Sequence, residues 1–127
     1  MVDFSCVVIG DDRLTTLCAE QLRERAHEIR CVLTDSPDVE AWANGHGIEI
    51  VSDRAALLAL LPEGGVDYVF SIANLRLLPQ RVRDIARGAA INFHDGPLPR
   101  YPGVHAPSWA LAAGETTHGV TWHLMTE

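Results

Sequence analysis

A chain of 127 residues with 47% hydrophobic and 21% charged residues has room for one domain, 1–127, with a continuous core, and is too apolar for a disordered segment. Its 10 basic residues, all Arg, stand against 17 acidic ones, and the net charge of −7 opposes binding to a polyanion such as a nucleic acid. No apolar run reaches membrane-spanning length, and "MVDFSCVVIGDD" has no positive region ahead of its short apolar segment, so the expected compartment is the cytoplasm.

In chain order, "FSCVVIG" is an apolar, β-branched strand, and Leu14, Leu17, Cys18 and Leu22 then recur at helical spacing. "EIRCVLTD" is a second strand; Ser36 and Pro37 start a helix over "PDVEAWANG", closed by Gly45. "IEIVS" is a third strand, "DRAALLALLP" a helix stopped at Pro62, and "VDYVFSI" a fourth strand. Pro79 opens a helix with Val82, Ile85 and Ala86 on one face, and Gly88 is placed to end it. "AAINFH" is a fifth strand, "PSWALAAG" a helix and "HGVTWHLM" a sixth strand. Cys6, Cys18 and Cys31 sit inside apolar patterns and read as buried reduced thiols rather than a disulfide framework or metal knuckle.

Near-continuous apolar strands alternating with helices define a doubly wound α/β class, a mostly parallel sheet with helices on both faces. Ligands in that class gather beyond the carboxyl ends of the strands. The first strand–helix turn, "IGDDRL", has one glycine where the dinucleotide fingerprint wants three. Asp11 and Asp12 stand where a phosphate would lie, and as carboxylates at a helix N-terminus they read as caps. "INFHDGPLPRYPGVHAPSW" lies at another strand end. Alternation puts Ala90, Asn92 and His94 on one face, with Asn92 and His94 about 7 Å apart at the backbone. An amide donor beside an imidazole suits a carbonyl that becomes a tetrahedral oxyanion, the amide stabilising charge and the imidazole moving a proton. Two polar groups can also end a strand merely by satisfying each other, and geometry alone leaves both readings open.

"INFHDGPLPRYPG" resembles the signature of the formyltransferase family that uses 10-formyltetrahydrofolate, in which a strand ending Asn-x-His runs into a Leu-Pro turn. The likeness extends back through "SIANLRLLP" and forward to "HGVTWHLM", and covers the first half of the chain as fold only, a Rossmann-like domain. It implies that Asn92 polarises the formyl carbonyl, that His94 assists proton transfer as an amine attacks, and that Leu75, Arg76, Leu77 and Leu78 hold the pterin of the 10-formyltetrahydrofolate donor. An apolar slot rimmed by backbone donors and acceptors suits a flat heteroaromatic ring, although at least one of these leucines is also a candidate for the core. Gly96 and Pro97 are expected beside the formyl site as substrate-binding residues, with Leu98-Pro99 cis as the family tends to keep it.

The family's third catalytic residue, an Asp after the strand matching "HGVTWHLM", falls about three positions past Glu127, which is not its counterpart. The resemblance therefore implies a chain cut short within a catalytic domain, part of a larger multidomain protein. His105, His118 and His123 do not have metal-site spacing, with His118 and His123 expected on opposite strand faces, so no metal is expected. Asp95 and Arg100 read as turn residues and Trp109 as a packing anchor. For the acceptor, "HDGPLPRYPGVHAPSWAL" resembles formylation domains that act on small-molecule or carrier-bound amines, such as those attached to peptide synthetases. Asp11 and Asp12 argue against glycinamide ribonucleotide, whose phosphate the resemblance would place at that turn, and the charge against tRNA, while an amino-sugar nucleotide stays open. Two further readings stand beside formyl transfer: hydrolysis of formyltetrahydrofolate on the same residues, and a non-catalytic folate-binding fragment.

Overall fold

The computed structural model describes residues 3–74 and 76–125; the expected donor contact at Leu75 and the comparison made at Glu127 lie outside them. Among the described residues six strands form one sheet: β1 (Ser5–Ile9), β2 (Glu28–Leu33), β3 (Ile50–Val51), β4 (Val66–Ser71), β5 (Ala86–His94) and β6 (Thr121–Leu124). Their spatial order is β3-β2-β1-β4-β5-β6, every pairing parallel except β5 with β6. The helices are α1 (Arg13–Glu24), α2 (Pro37–Gly45), α3 (Arg54–Leu60), α4 (Gln80–Arg83) and α5 (Ala106–Ala112).

The strands are apolar on both sides because both faces are covered. Val7, Ile9, Leu33, Val69 and Ala90 share a core with Leu57 of α3 and Val82 of α4. Cys6, Val8 and Val32 point the other way, against Ala19 of α1 and Val39 and Ala43 of α2. Burial pushes the Cys6 and Cys31 thiols up to about 12, so both stay protonated at neutral pH.

Capping chemistry sets the helix starts. Asp12 and Thr15 form a reciprocal box at α1, while the Ser36 and Asp53 side chains accept from Val39 and Ala56 N–H at α2 and α3. Asp11 is not a cap, contrary to the sequence reading; its partners lie in the site described below.

Between Pro79 and Gly88 the sequence reading is corrected. The helix ends at Arg83, and Ile85 begins the return to the sheet, its carbonyl accepting from Val66 N–H at 3.1 Å. Ala86 already pairs with Val66 in β5. Gly88 ends no helix: a Cβ there would lie 2.7 Å from the Asp67 carbonyl oxygen, so its missing side chain lets β4 and β5 approach where their register shifts.

Candidate active site

The strand order reverses between β1 and β4, and the loops leaving their carboxyl ends diverge to opposite faces of the sheet. That divergence leaves a crevice at the switch point. A cleft of about 570 Å³ opens there, reached by Asp12 from the β1–α1 turn, Arg76 and Leu77 from the β4–α4 loop, Asn92 and His94 from β5, and His123 from β6.

The β1 and β4 ends are held together by one close approach. A Cβ on Gly10 would sit 1.9 Å from the Ile72 carbonyl oxygen, and Thr15 donates its hydroxyl to that same carbonyl at 2.8 Å. Beside it, Asp11 accepts from the Thr34 hydroxyl and the Asp35 N–H, and pairs with Arg76 at 3.0 Å; Arg76 also reaches Asp35 at 3.1 Å. Partial burial raises the Asp11 carboxyl, but the Asp35 N–H, Arg76 and Thr34 together hold it below the usual carboxylate range. Arg76 is thus committed to two carboxylates that tie the β4–α4 loop to the β1–α1 turn. Asn74 folds the loop on itself, donating to the Ser71 hydroxyl and the Arg76 carbonyl and accepting from Arg76 N–H.

The loop's two described leucines part company. Leu77 is 90% exposed at the cleft, whereas Leu78 is buried among Val82 and Ile85 and does not line it. The possibility that one leucine belongs to the core is realised at Leu78.

Asn92 and His94 share a face of β5, opposite His123 and Thr121 of β6. The His94 Nε2 lies 2.7 Å from the Tyr101 carbonyl oxygen, which can only accept, so Nε2 carries the proton and donates. Gly96 lies behind that ring: a Cβ there would meet His94 Nε2 at 3.0 Å and the Tyr101 carbonyl oxygen at 3.2 Å. Neither Gly96 nor Pro97 lines the cleft; Gly103, Val104 and His105 supply that wall. Leu98-Pro99 is cis. Thr121 clamps the turn, donating to the Gly96 carbonyl at 2.7 Å and accepting from Leu98 N–H at 3.0 Å.

Other expectations around this turn are revised. Arg100 keeps its turn role, its N–H donating to the Pro97 carbonyl at 3.0 Å, but its side chain also braces the loop by pairing with Glu115, which accepts from the Tyr101 hydroxyl at 2.8 Å. Trp109 is 65% exposed and anchors no packing. His118 precedes β6 and donates to the Asp95 carbonyl at 2.6 Å, so it faces neither side of the strand. Among the described residues no group of three His, Cys, Asp or Glu side chains could hold a metal ion, and no helix is long and apolar enough to cross a membrane.

The Tyr101 hydroxyl, opposed by desolvation and aided by Arg100 and His118, holds Glu115 below the usual carboxylate range. A lowered folded-state value means that this brace is complete above the ordinary carboxylate range and is lost as pH falls through the depressed value. Protection of residues 100–105 against hydrogen exchange, corrected for the intrinsic pH dependence of amide exchange, is expected to fall on acidification over that range; in Glu115→Gln it should be low already at neutral pH and respond less to acid.

Two partners of the site escaped the sequence reading: the Tyr101 carbonyl, which carries no side-chain signal, and His123, whose place depends on the β5–β6 register. The T-W-H alternation of β6 matches N-F-H of β5 once the pair is known to be antiparallel.

An α/β domain with an amide and an imidazole side by side in its switch-point cleft is equipped to polarise a carbonyl and move a proton. The formyl transferase family model matches residues 5–127, and the chain belongs to that family. It is 28% identical over 137 residues to the methionyl-tRNA formyltransferase of Geobacter metallireducens, covering 95% of this chain and 44% of that protein. It is 26% identical to the phosphoribosylglycinamide formyltransferase of Brucella melitensis, with a TM-score of 0.77 over 99% of this chain and 74% of that one. The fold also matches a formyltetrahydrofolate deformylase from Pseudomonas syringae pv. tomato, at 23% identity and a TM-score of 0.80, over 99% of this chain and 47% of that one. The chain spans less than half the length of the curated relatives it matches.

Proposed function

We propose that the protein transfers a formyl group from 10-formyltetrahydrofolate to the amine of a small-molecule or carrier-bound aminoacyl acceptor. The observation that carries this reading is that Asn92, His94 and the Arg76–Leu77 rim open onto one cleft at the switch point. Its volume, about 570 Å³, lies within the range of sites that enclose small molecules. Leu14, Leu77, Phe93 and Met125 give it apolar wall for a flat ring, and the polar groups converge at the β5 end. The donor supplies an activated formyl carbonyl. Asn92 donates to the oxygen of that carbonyl as charge builds, and His94 manages the proton of the incoming amine.

The acceptor assignment rests on charge. Asp12 faces the cleft from the turn where a phosphate would otherwise find a helix N-terminus, and Asp11 and Asp35 lie close by, neutralised only in part by Arg76. A phosphorylated amine meets repulsion there, and the net charge of −7 opposes a tRNA. The test is incubation with formyl-labelled 10-formyltetrahydrofolate and four acceptors: a free amino acid, an aminoacyl thioester on its carrier, glycinamide ribonucleotide and methionyl-tRNA. Label on either of the first two supports the assignment, and label on the nucleotide or tRNA alone overturns it. Formate released without any amine would make the protein a hydrolase.

Leu77 offers a separate check on the donor. Because it is exposed at the rim, Leu77→Asp is expected to leave Tm unchanged and to weaken a folate analogue about tenfold in calorimetry, the scale of removing one apolar side chain from the ring's wall. A charge at Leu78 would instead test the core.

A further inference from the structure

His123 faces Asn92 directly across the β5–β6 pair, and their hydrogen bonds determine each other's chemistry. The Asn92 Nδ2 lies 3.0 Å from the Phe93 carbonyl oxygen and 3.3 Å from His123 Nε2. A carbonyl only accepts, so the amino end of the carboxamide, not its oxygen, faces Phe93. The nitrogen then also presents an N–H to His123, whose Nε2 must hold a lone pair. On the far side of the ring, Nδ1 lies 3.1 Å from the Leu124 carbonyl oxygen, another group that only accepts, so Nδ1 carries the proton. Both ends of the imidazole therefore require the same neutral form, protonated at Nδ1 and open at Nε2.

We infer that His123 is the positioning residue for Asn92: its Nε2 lone pair holds the carboxamide N–H that the formyl oxygen takes over. The inference rests on the proposed role of Asn92. A carboxamide has two orientations of similar shape. Turning it over would place Oδ1 against both the Phe93 carbonyl and the His123 lone pair, two repulsive contacts, so His123 doubles the penalty against the orientation that cannot donate. Both Asn92 N–H groups are engaged within the protein, and the hydrogen bond to His123 is the longer of the two. It is the one an incoming oxygen displaces at least cost. Asn92 and His123 both line the cleft, so an oxygen there can reach that N–H without strand movement.

The test has a spectroscopic arm and a kinetic arm. Long-range 1H–15N correlation of the His123 ring in the protein at neutral pH is expected to show a protonated Nδ1 and an unprotonated Nε2; a ring protonated at Nε2 overturns the inference. In formyl transfer, His123→Leu is expected to lower kcat about tenfold, because the carboxamide is then free to turn to the orientation that cannot donate, with KM for the donor unchanged. His123→Gln, whose Oε1 can accept from Asn92, should recover most of that loss. In an Asn92→Ala background His123→Leu should have no further effect. Full kcat in a folded His123→Leu, or an equal loss with Gln and Leu, overturns the positioning role. If instead Asn92→Ala alone leaves turnover intact, it is the catalytic reading of Asn92 that fails, and the ring spectrum still reports on the hydrogen bonds independently.

Discussion

Replacing Asn92 with Ala is expected to lower kcat for formyl transfer about 100- to 1000-fold while leaving donor affinity within a factor of two. One preorganised oxyanion donor is worth about 3 kcal/mol because its bond strengthens only as charge develops, so its loss appears in kcat rather than in binding. The variant also surrenders two internal hydrogen bonds, to Phe93 and His123, at a cost of about 1 kcal/mol each in folding. Assays well below the variant's Tm therefore separate the catalytic loss from the structural one. His94→Ala is expected to fall by at least about 100-fold, the lower end for a positioned acid or base, and its Nε2 bond to Tyr101 makes the comparison sharper. Phe, which fills the same space without a proton to move, should be as impaired as Ala. A His94→Ala variant at full rate would remove His94 from the mechanism.

Gly10→Ala carries the largest expected effect on stability. The new methyl would lie 1.9 Å from the Ile72 carbonyl oxygen and 2.4 Å from the Thr15 hydroxyl oxygen, both too close for any real contact. Neither neighbour can retreat cheaply: Ile72 N–H donates to the Ile9 carbonyl, and Thr15 is completely buried and donates to Ile72. The β1 and β4 ends must separate, costing about 3 kcal/mol, or about 10 °C in Tm for a domain of this size. The same separation widens the crevice at the switch point, so donor affinity should fall together with stability. Gly45→Ala is the control, since a Cβ there meets nothing within 4 Å. It should shift Tm by no more than about 2 °C, and toward greater stability, because Ala is the better helix residue.

What could be read from the chain follows from the kind of signal each feature leaves. Strands such as Ser5–Ile9 are buried on both faces and announce themselves as apolar runs; Ser36–Pro37 and Asp53 announce helix starts through their own chemistry. The stretch Val82–Ile85–Ala86 misled because apolar residues three and four apart suit a helical face, while Ile85 and Ala86 in sequence equally suit a strand buried on both sides. Gly88 compounded this, since a glycine that ends a helix and one that admits a neighbouring strand look alike in one dimension. Asn92 and His94 were legible because strand alternation alone puts them together. The Asp11–Arg76–Asp35 bridge and the Asn92–His123 pair were not, because each joins segments whose proximity is a property of strand order and register; nor was the Tyr101 carbonyl at His94, a backbone group brought in by the fold of the intervening turn. Trp109 shows the same limit from the other side, a large apolar residue that reads as core and lies exposed.

The most direct test of the central claim is a titration of the 15N-labelled protein with a non-transferable analogue of 10-formyltetrahydrofolate, followed by amide and side-chain NMR shifts. The largest changes are expected at Arg76, Leu77, His94 and the Asn92 carboxamide, with residues at the opposite end of the sheet, such as Gly64 and Arg87, unmoved. Saturable shifts confined to another surface, or no shift at Asn92 and His94 when the analogue is bound, would contradict that claim.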